Sequence, residues 1–166
     1  IWNPKTTGYV APIAAGTGDG SSWANASGDI PGMITASVAG DQIFVMKGNY
    51  RITAGVYFIR MKEGVKIYGS FQGTETTLSE RVIGTTATDS SILSGVPVSG
   101  VVRPVVNNSG TLSTASVLDG FFLTSTTGNV VINAGGAGPT FTNLIIANGT
   151  GGMSNNSSSP TLNNVV

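Results

Sequence analysis

"SVLDGFFLTS" (Ser116 to Ser125), "PTFTNLIIAN" (Pro139 to Asn148) and "PTLNNVV" (Pro160 to Val166) are three versions of one pattern. Each sets an apolar residue, two polar or small residues, then an apolar stretch. Leu118, Phe141 and Leu162 correspond at intervals of 23 and 21 residues; Gly120, Asn143 and Asn164 correspond in step, as do Phe121, Leu144 and Val165. Upstream, "QIFVMKGNY" and "GVKIYGSF" align with Ile43 over Val65 and Val45 over Ile67, each pair 22 residues apart, and "SILSG" (Ser91 to Gly95) supplies a further strand. A period near 22 with several short strands per unit predicts a β-solenoid. One unit cannot bury its apolar face alone, so units stack and like residues form ladders. A sandwich also has regularly spaced short strands, but it does not require residue types to match at the same place in every unit. Leu118, Phe141 and Leu162 are therefore expected in one interior ladder, with Phe121, Leu144 and Val165 in another. "PTLNNVV" then reads as one side of an unfinished coil.

The other end carries a cap. In "SGDIPGMITASVAGD" (Ser27 to Asp41), Asp29 is placed to accept at a helix N-terminus, with Ile30 and Pro31 in the first turn. Ile30, Met33, Ile34 and Val38 recur at helical spacing, and Gly40 marks the stop. The expectation is a short amphipathic helix that covers the first coil. The whole chain reads as a single domain, 1–166. Residues 1–40 form an N-terminal strand, a loop and the cap helix; residues 41–166 form coils whose C-terminal end is open.

Composition agrees with that class. Twenty-four glycines with abundant Ser, Thr and Asn mark many turns, and plentiful Val, Ile and Phe argue against disorder. Eight basic and eight acidic residues cancel. Without a basic field there is nothing to displace counterions from a nucleic acid, so nucleic-acid binding is not expected. Cysteine is absent, which removes disulfides and thiolate metal sites. Histidine is absent too, which removes every His-based base, triad or zinc site. No apolar run approaches the ~18 residues of a membrane span. Asn25, Asn107, Asn148, Asn155 and Asn156 each open a glycosylation acceptor pattern, a frequency that chance explains in a chain this rich in Asn, Ser and Thr.

The stretches "GTGDGSSWANAS", "AGDQIFVMKGNYRI", "GVKIYGSFQGTETTLSER" and "SILSG" resemble the N-terminal part of right-handed parallel β-helix proteins with a pectate-lyase-like fold. They look most like large, repetitive secreted surface proteins of Bacteroidetes and related bacteria, whose recurring coil motif "VLDGFFLTS" and "GTGGMSNNSSSPTLNNVV" resemble. The resemblance runs from Tyr9 onward and implies an extracellular or cell-surface, adhesin-like repeat protein. It is specific for fold and poor for function, because the same coils carry lyases and adhesins.

Polysaccharide lyases of this fold use Ca²⁺ held by acids, with Arg or Lys as base. Here Arg103 and Asp119 are the only charged residues after Asp89, so the later coils offer no such face. Glu75, Glu80 and Arg81 are the best remaining acid/base cluster, and solvation of a long loop between coils is the plainer reading. "GTGDGSS" (Gly16 to Ser22) lacks the Lys of a phosphate loop and the further acids of a calcium loop, so it reads as a turn. Trp23 is expected beside the cap helix or, alternatively, as a sugar-stacking platform. Asn143 and Asn164 share a coil position suited to a bend or a hydrogen-bonded ladder.

Alternation along the strands gives one candidate surface. If Phe121 and Leu123 point inward, Phe122 points out; by the same count Ile145 and Val166 lie outside and stack on it. This apolar stripe is covered by a loop, such as Val96 to Thr114, or it meets another chain. With Leu162 and Val165 of the last strand, these residues form the candidate interaction surface. No catalytic residue, cofactor or metal is expected. The expected partners are further coils or other copies of the same protein, and surface glycans. The reading is a non-catalytic extracellular module, adhesin or self-assembling surface component. Its alternative is a polysaccharide-binding protein or lyase with its site in coils beyond this fragment.

Overall fold

The structure, a computed structural model, describes residues 7–51, 58–95, 103–126 and 128–166. Asp29 is extended, and its Oδ1 accepts from the backbone N–H of Gly32 at 2.9 Å. Helix α1 (Ile30–Ala36) starts there, with Pro31 in its first turn, and Ser37 ends it. Its buried face is Ile30, Met33 and Ile34, which join the main core with Val10, Ile43 and Val45. Val38 lies beyond the last turn and is exposed, so the apolar face is one residue shorter than its spacing suggests. Lys62 Nζ donates to the carbonyls of Thr35 and Ser37, which α1 leaves unpaired at its end.

Every strand pairing among the described residues is parallel, and the strands fall into three ladders. The first stacks β1 (Thr7–Val10), β2 (Gln42–Met46), β4 (Lys66–Phe71), β7 (Val117–Asp119), β10 (Thr140–Ala147) and β12 (Thr161–Val165). The second stacks β3 (Gly48–Arg51), β5 (Ser91–Gly95), β8 (Phe121–Ser125) and the later half of β10. The third stacks β6 (Val106–Ser109), β9 (Asn129–Ala134) and β11 (Gly151–Asn156), and Ile59 bridges to Val106 beside it. Because β10 runs through both of the first two ladders, they form one continuous nine-stranded sheet. From β4 on, the strands follow the order first, second, third ladder and repeat it, whereas β1 and β2 both stand in the first ladder. The architecture is all-β and parallel apart from α1, a pattern compatible with a solenoid.

The expected interior ladder is present. Ile43, Ile67, Leu118 and Phe141 follow one another in register and are fully buried, and Leu162 is the next rung. Each buried Ile, Leu or Phe removed from water contributes about 1.5–3 kcal/mol. Leu144 pairs with Val165, and Phe121 is buried in the same core. The upstream alignment needs correction. Ile43 pairs with Ile67 and Phe44 with Tyr68, not Ile43 with Val65 or Val45 with Ile67. The error is two residues, and with a side-chain period of 2 such a slip keeps the same face inward, so the apolar pattern could not reveal it. A shift in register between Phe44 and Met46 follows, where Ser70 on the facing strand adopts φ 68°.

Between the first and second ladders the chain turns through a left-handed residue: Ser70 (φ 68°), Gly120 (79°), Asn143 (49°) and Asn164 (53°). Asn tolerates this conformation better than most residues because its short side chain bonds locally. At Gly120 a Cβ would also lie 2.9 Å from Arg81 Nη1, so any side chain there requires the guanidinium to shift.

Candidate functional site

The outer stripe is built by the second ladder. Ile145 stands opposite Phe122 in the register, and Val166 exchanges backbone hydrogen bonds with Leu144 and Ile146, which sets it beside Ile145. Ile92 pairs with Phe122 on the other side and extends the stripe to four residues. Sequence spacing missed Ile92 because the long loop before it, residues 72–90, breaks the period. Ile92, Phe122 and Ile145 are half-buried, whereas Val166 is 81% exposed.

The flanking loop differs from the one expected. Ile83, Gly84 and Thr85 face Asn143, Leu144, Ile145, Asn164 and Val166 across a cleft of about 150 Å³. Within the expected Val96 to Thr114 stretch, residues 96–102 lie outside the described residues. Val106–Ser109 is strand β6, drawn into the third ladder because Val105 and Val106 are core residues. The 72–90 loop, which starts and ends beside the first two ladders, takes that place instead.

The last strand forms the other part of the surface. β12 pairs with β10 on one side; on its other side it pairs with nothing among the described residues. Leu162, an interior-ladder residue by register, is 50% exposed, and Val165 is half-buried against the core. Leu162 and Val165 therefore sit on the end of the stack, while Phe122, Ile145 and Val166 sit on its flank. The five residues make two adjoining surfaces.

The acid/base cluster is drawn into structure. The Glu75 carboxylate is buried and accepts from the backbone N–H groups of Gln72, Gly73 and Thr74 at 2.7–3.1 Å. Burial pushes its pKa up, but the backbone N–H bonds together outweigh that and hold it below the ordinary glutamate value. Glu80 caps the next turn by accepting from the N–H groups of Thr76 and Thr77, which lowers its pKa. Arg81 Nη2 meets Asp119 Oδ2 at 2.8 Å, with side-chain exposures of 6% and 11%. Its guanidinium also donates to the carbonyl of Gly69 and lies 5.4 Å from the Tyr68 ring centroid. This side chain clamps the loop to the first ladder rather than solvating it.

Trp23 belongs to an aromatic cluster separate from the one that holds the buried residues of α1. It packs on the outer face of the first ladder against Tyr9 and Phe71, next to Phe44 and Tyr68, and its Nε1 donates to the Glu75 carbonyl at 2.7 Å. The aromatic register Tyr9–Phe44–Tyr68 is a period-2 outer position that was legible only once β1 was known to pair with β2. In the glycine-rich stretch, Asp19 Oδ1 accepts from Ser21 N at 2.9 Å, a local turn. No group of three or more Asp or Glu that could hold a metal occurs among the described residues.

Two asparagine ladders run along the stack. In the first, Asn164 Nδ2 donates to Asn143 Oδ1 at 2.8 Å, and Asn143 Nδ2 donates to Asp119 Oδ1 at 2.9 Å. This is the shared position read from the sequence. The second was missed. Asn108 Nδ2 donates to Asn133 Oδ1 at 2.9 Å, and Asn133 Nδ2 donates to Asn155 Oδ1 at 2.8 Å; Asn108 and Asn133 are fully buried. Their spacings of 25 and 22 residues were the available signal, hidden by the abundance of Asn.

No helix among the described residues is long and apolar enough to cross a membrane. Comparison of the chain with protein-family models, with curated proteins and with solved structures returned no match.

Proposed function

We propose that this chain is a module of a right-handed parallel β-helix with a pectate-lyase-like fold, similar to repetitive secreted surface proteins of Bacteroidetes and related bacteria. It acts without catalysis at the cell surface or outside the cell, as an adhesin or a self-assembling structural component. The repeated one-two-three order of parallel strands supports the β-helix. The observation that carries the role is the outer apolar stripe, in which Ile92, Phe122 and Ile145 stand in register and half-buried on the flank of the second ladder. The chain's partners are further coils or other copies of the same protein, and the stripe offers a lateral contact or a seat for surface glycans. The engagement of Glu75, Glu80 and Arg81 in loop structure favours this role over a lyase.

Light scattering across a concentration series tests it. The expected result is a mass that rises with concentration. A strictly monomeric chain whose last strand is covered by its own loops contradicts the proposal. Formation of unsaturated uronate from pectin, alginate or a glycosaminoglycan, lost in Glu75→Gln or Arg81→Ala, overturns its non-catalytic part.

A further inference from the structure

Between β10 and β11 the chain turns from the second ladder to the third through Asn148, Gly149 and Thr150. Asn148 takes a left-handed conformation, φ 62°, which Gly and Asn accept more readily than other residues. The next position needs glycine for a different reason. A Cβ on residue 149 would stand 2.6 Å from Val130 Cγ2 and 2.8 Å from the carbonyl oxygens of Gly128 and Gly151. Two of those three atoms are backbone and cannot swing aside. The fold therefore sets asparagine directly before glycine, the one such pair in the sequence. Asn148 is also exposed, and its Nδ2 donates to Thr124 Oγ1 at 3.2 Å on the surface.

We propose that Asn148 is a self-modification site, where the side-chain amide is lost and aspartate or isoaspartate takes its place. The Gly149 nitrogen gives its proton to hydroxide and attacks Asn148 Cγ. A C–N bond closes a five-membered succinimide, the bond from Cγ to Nδ2 breaks, and that nitrogen takes up a proton and leaves as ammonia. Water then opens the ring. Attack at Cγ restores the ordinary backbone with aspartate, and attack at the backbone carbonyl carbon leaves isoaspartate. Water is the only co-reactant, and nothing is oxidised or reduced. Glycine matters here because no side chain shields its nitrogen. The other asparagines are withheld from this chemistry. Asn108 and Asn133 are fully buried, Asn143 and Asn164 are bonded to each other, and Asn155 accepts from Asn133. Asn25 Oδ1 accepts from the Thr17 N–H. Asn156 is exposed, but Ser157 follows it. The product is the first ionised side chain after Asp119. It lies beside Thr124, which by alternation shares the outer face of Phe122. Assembly of the chain is not required for this chemistry.

The test keeps the whole chain folded and warm for weeks in mildly alkaline buffer made with heavy-oxygen water. Samples are digested and read by fragmentation mass spectrometry, and circular dichroism confirms that the fold persists. Asn148 should convert at least about tenfold faster than any other asparagine, because the Gly149 nitrogen is unshielded. Each converted molecule should hold one heavy oxygen, and labelling by an isoaspartyl methyltransferase should reveal the isoaspartate share. Conversion should slow as the buffer is made more acidic and hydroxide becomes scarce. Asn148→Gln keeps an exposed amide but would have to close a six-membered ring, so conversion at 148 should be lost while circular dichroism matches the parent. Earlier or equal conversion at Asn156 or another asparagine overturns the proposal. So does an absence of conversion over that period, or a rate that ignores pH. A rise of scattering with concentration is read separately, so failure here leaves the assembly role standing.

Discussion

Phe141→Ala probes the interior ladder where its energetics are easiest to read. Phe141 is fully buried, with fully buried Leu118 on one side and Leu162, 50% exposed, on the other. Burying a Phe contributes about 1.5–3 kcal/mol, and the cavity left by Phe→Ala raises the measured cost to about 3–5 kcal/mol. One wall of this cavity is half-exposed Leu162, which has room to fold into the gap, so the expected cost is about 3 kcal/mol. Leu118→Ala, enclosed by Ile67 and Phe141, should sit in the upper half of the ~2–5 kcal/mol range for Leu→Ala. Leu162→Ala should cost about 1 kcal/mol or less, since half of its area is already in water. Urea unfolding followed by circular dichroism measures all three. With a slope of roughly 1–3 kcal/mol per molar urea, Phe141→Ala lowers the midpoint by about 1–3 M. A cost below about 1 kcal/mol for Phe141→Ala, or equal costs at Phe141 and Leu162, would refute the stacking argument.

Arg81→Met leaves the Asp119 carboxylate buried with Asn143 as its remaining side-chain partner, and should cost about 3 kcal/mol, or roughly 6–12 °C in Tm at this chain length. Arg81→Met combined with Asp119→Leu should recover part of that loss, and a double variant worse than the sum contradicts the ion-pair account. Asn133→Ala strips the acceptor from buried Asn108 Nδ2 and should cost about 1–3 kcal/mol, whereas Asn155→Ala at the exposed end should stay below about 1 kcal/mol; equal values would deny the buried ladder its role. The Glu75 carboxyl has its pKa held below the ordinary 4.5 in the folded chain. Its contribution is therefore complete above that value and is lost as pH falls through the lowered one. Glu75→Gln should lower stability at neutral pH and flatten the acid limb, and parallel stability–pH curves for the two proteins would count against it.

The fold was legible where one residue type must recur at one place. Leu118, Phe141 and Leu162 share a ladder that tolerates only apolar side chains, and Gly120, Asn143 and Asn164 share a left-handed turn that few residues accept. The capped helix was equally plain, since Asp29, Pro31 and the i, i+3, i+4 apolar set are local signals. What escaped notice depends on tertiary pairing. "GGMSNN" has poor strand propensity, yet it forms β11 because β9 lies alongside with its donors and acceptors in register. The aromatic cluster around Trp23 and the buried positions of Glu75 and Arg81 depend on how the 72–90 loop folds back over the first ladder, which no local period encodes. The outer stripe was found in part: its spacing held from Phe122 to Val166, and the same loop hid Ile92.

The stacking itself is best examined by solution NMR of the chain with selectively labelled Leu and Phe. If the first ladder is parallel and in the register described, Phe141 ring protons will show nuclear Overhauser contacts to the methyl groups of both Leu118 and Leu162. No contact will join Leu118 directly to Leu162, two rungs apart, and amide protons of β12 will report the sequential offset of parallel strands. Strong cross-strand contacts between α-protons of β10 and β12, the mark of antiparallel pairing, or a Phe141 ring in contact with neither leucine, would contradict it.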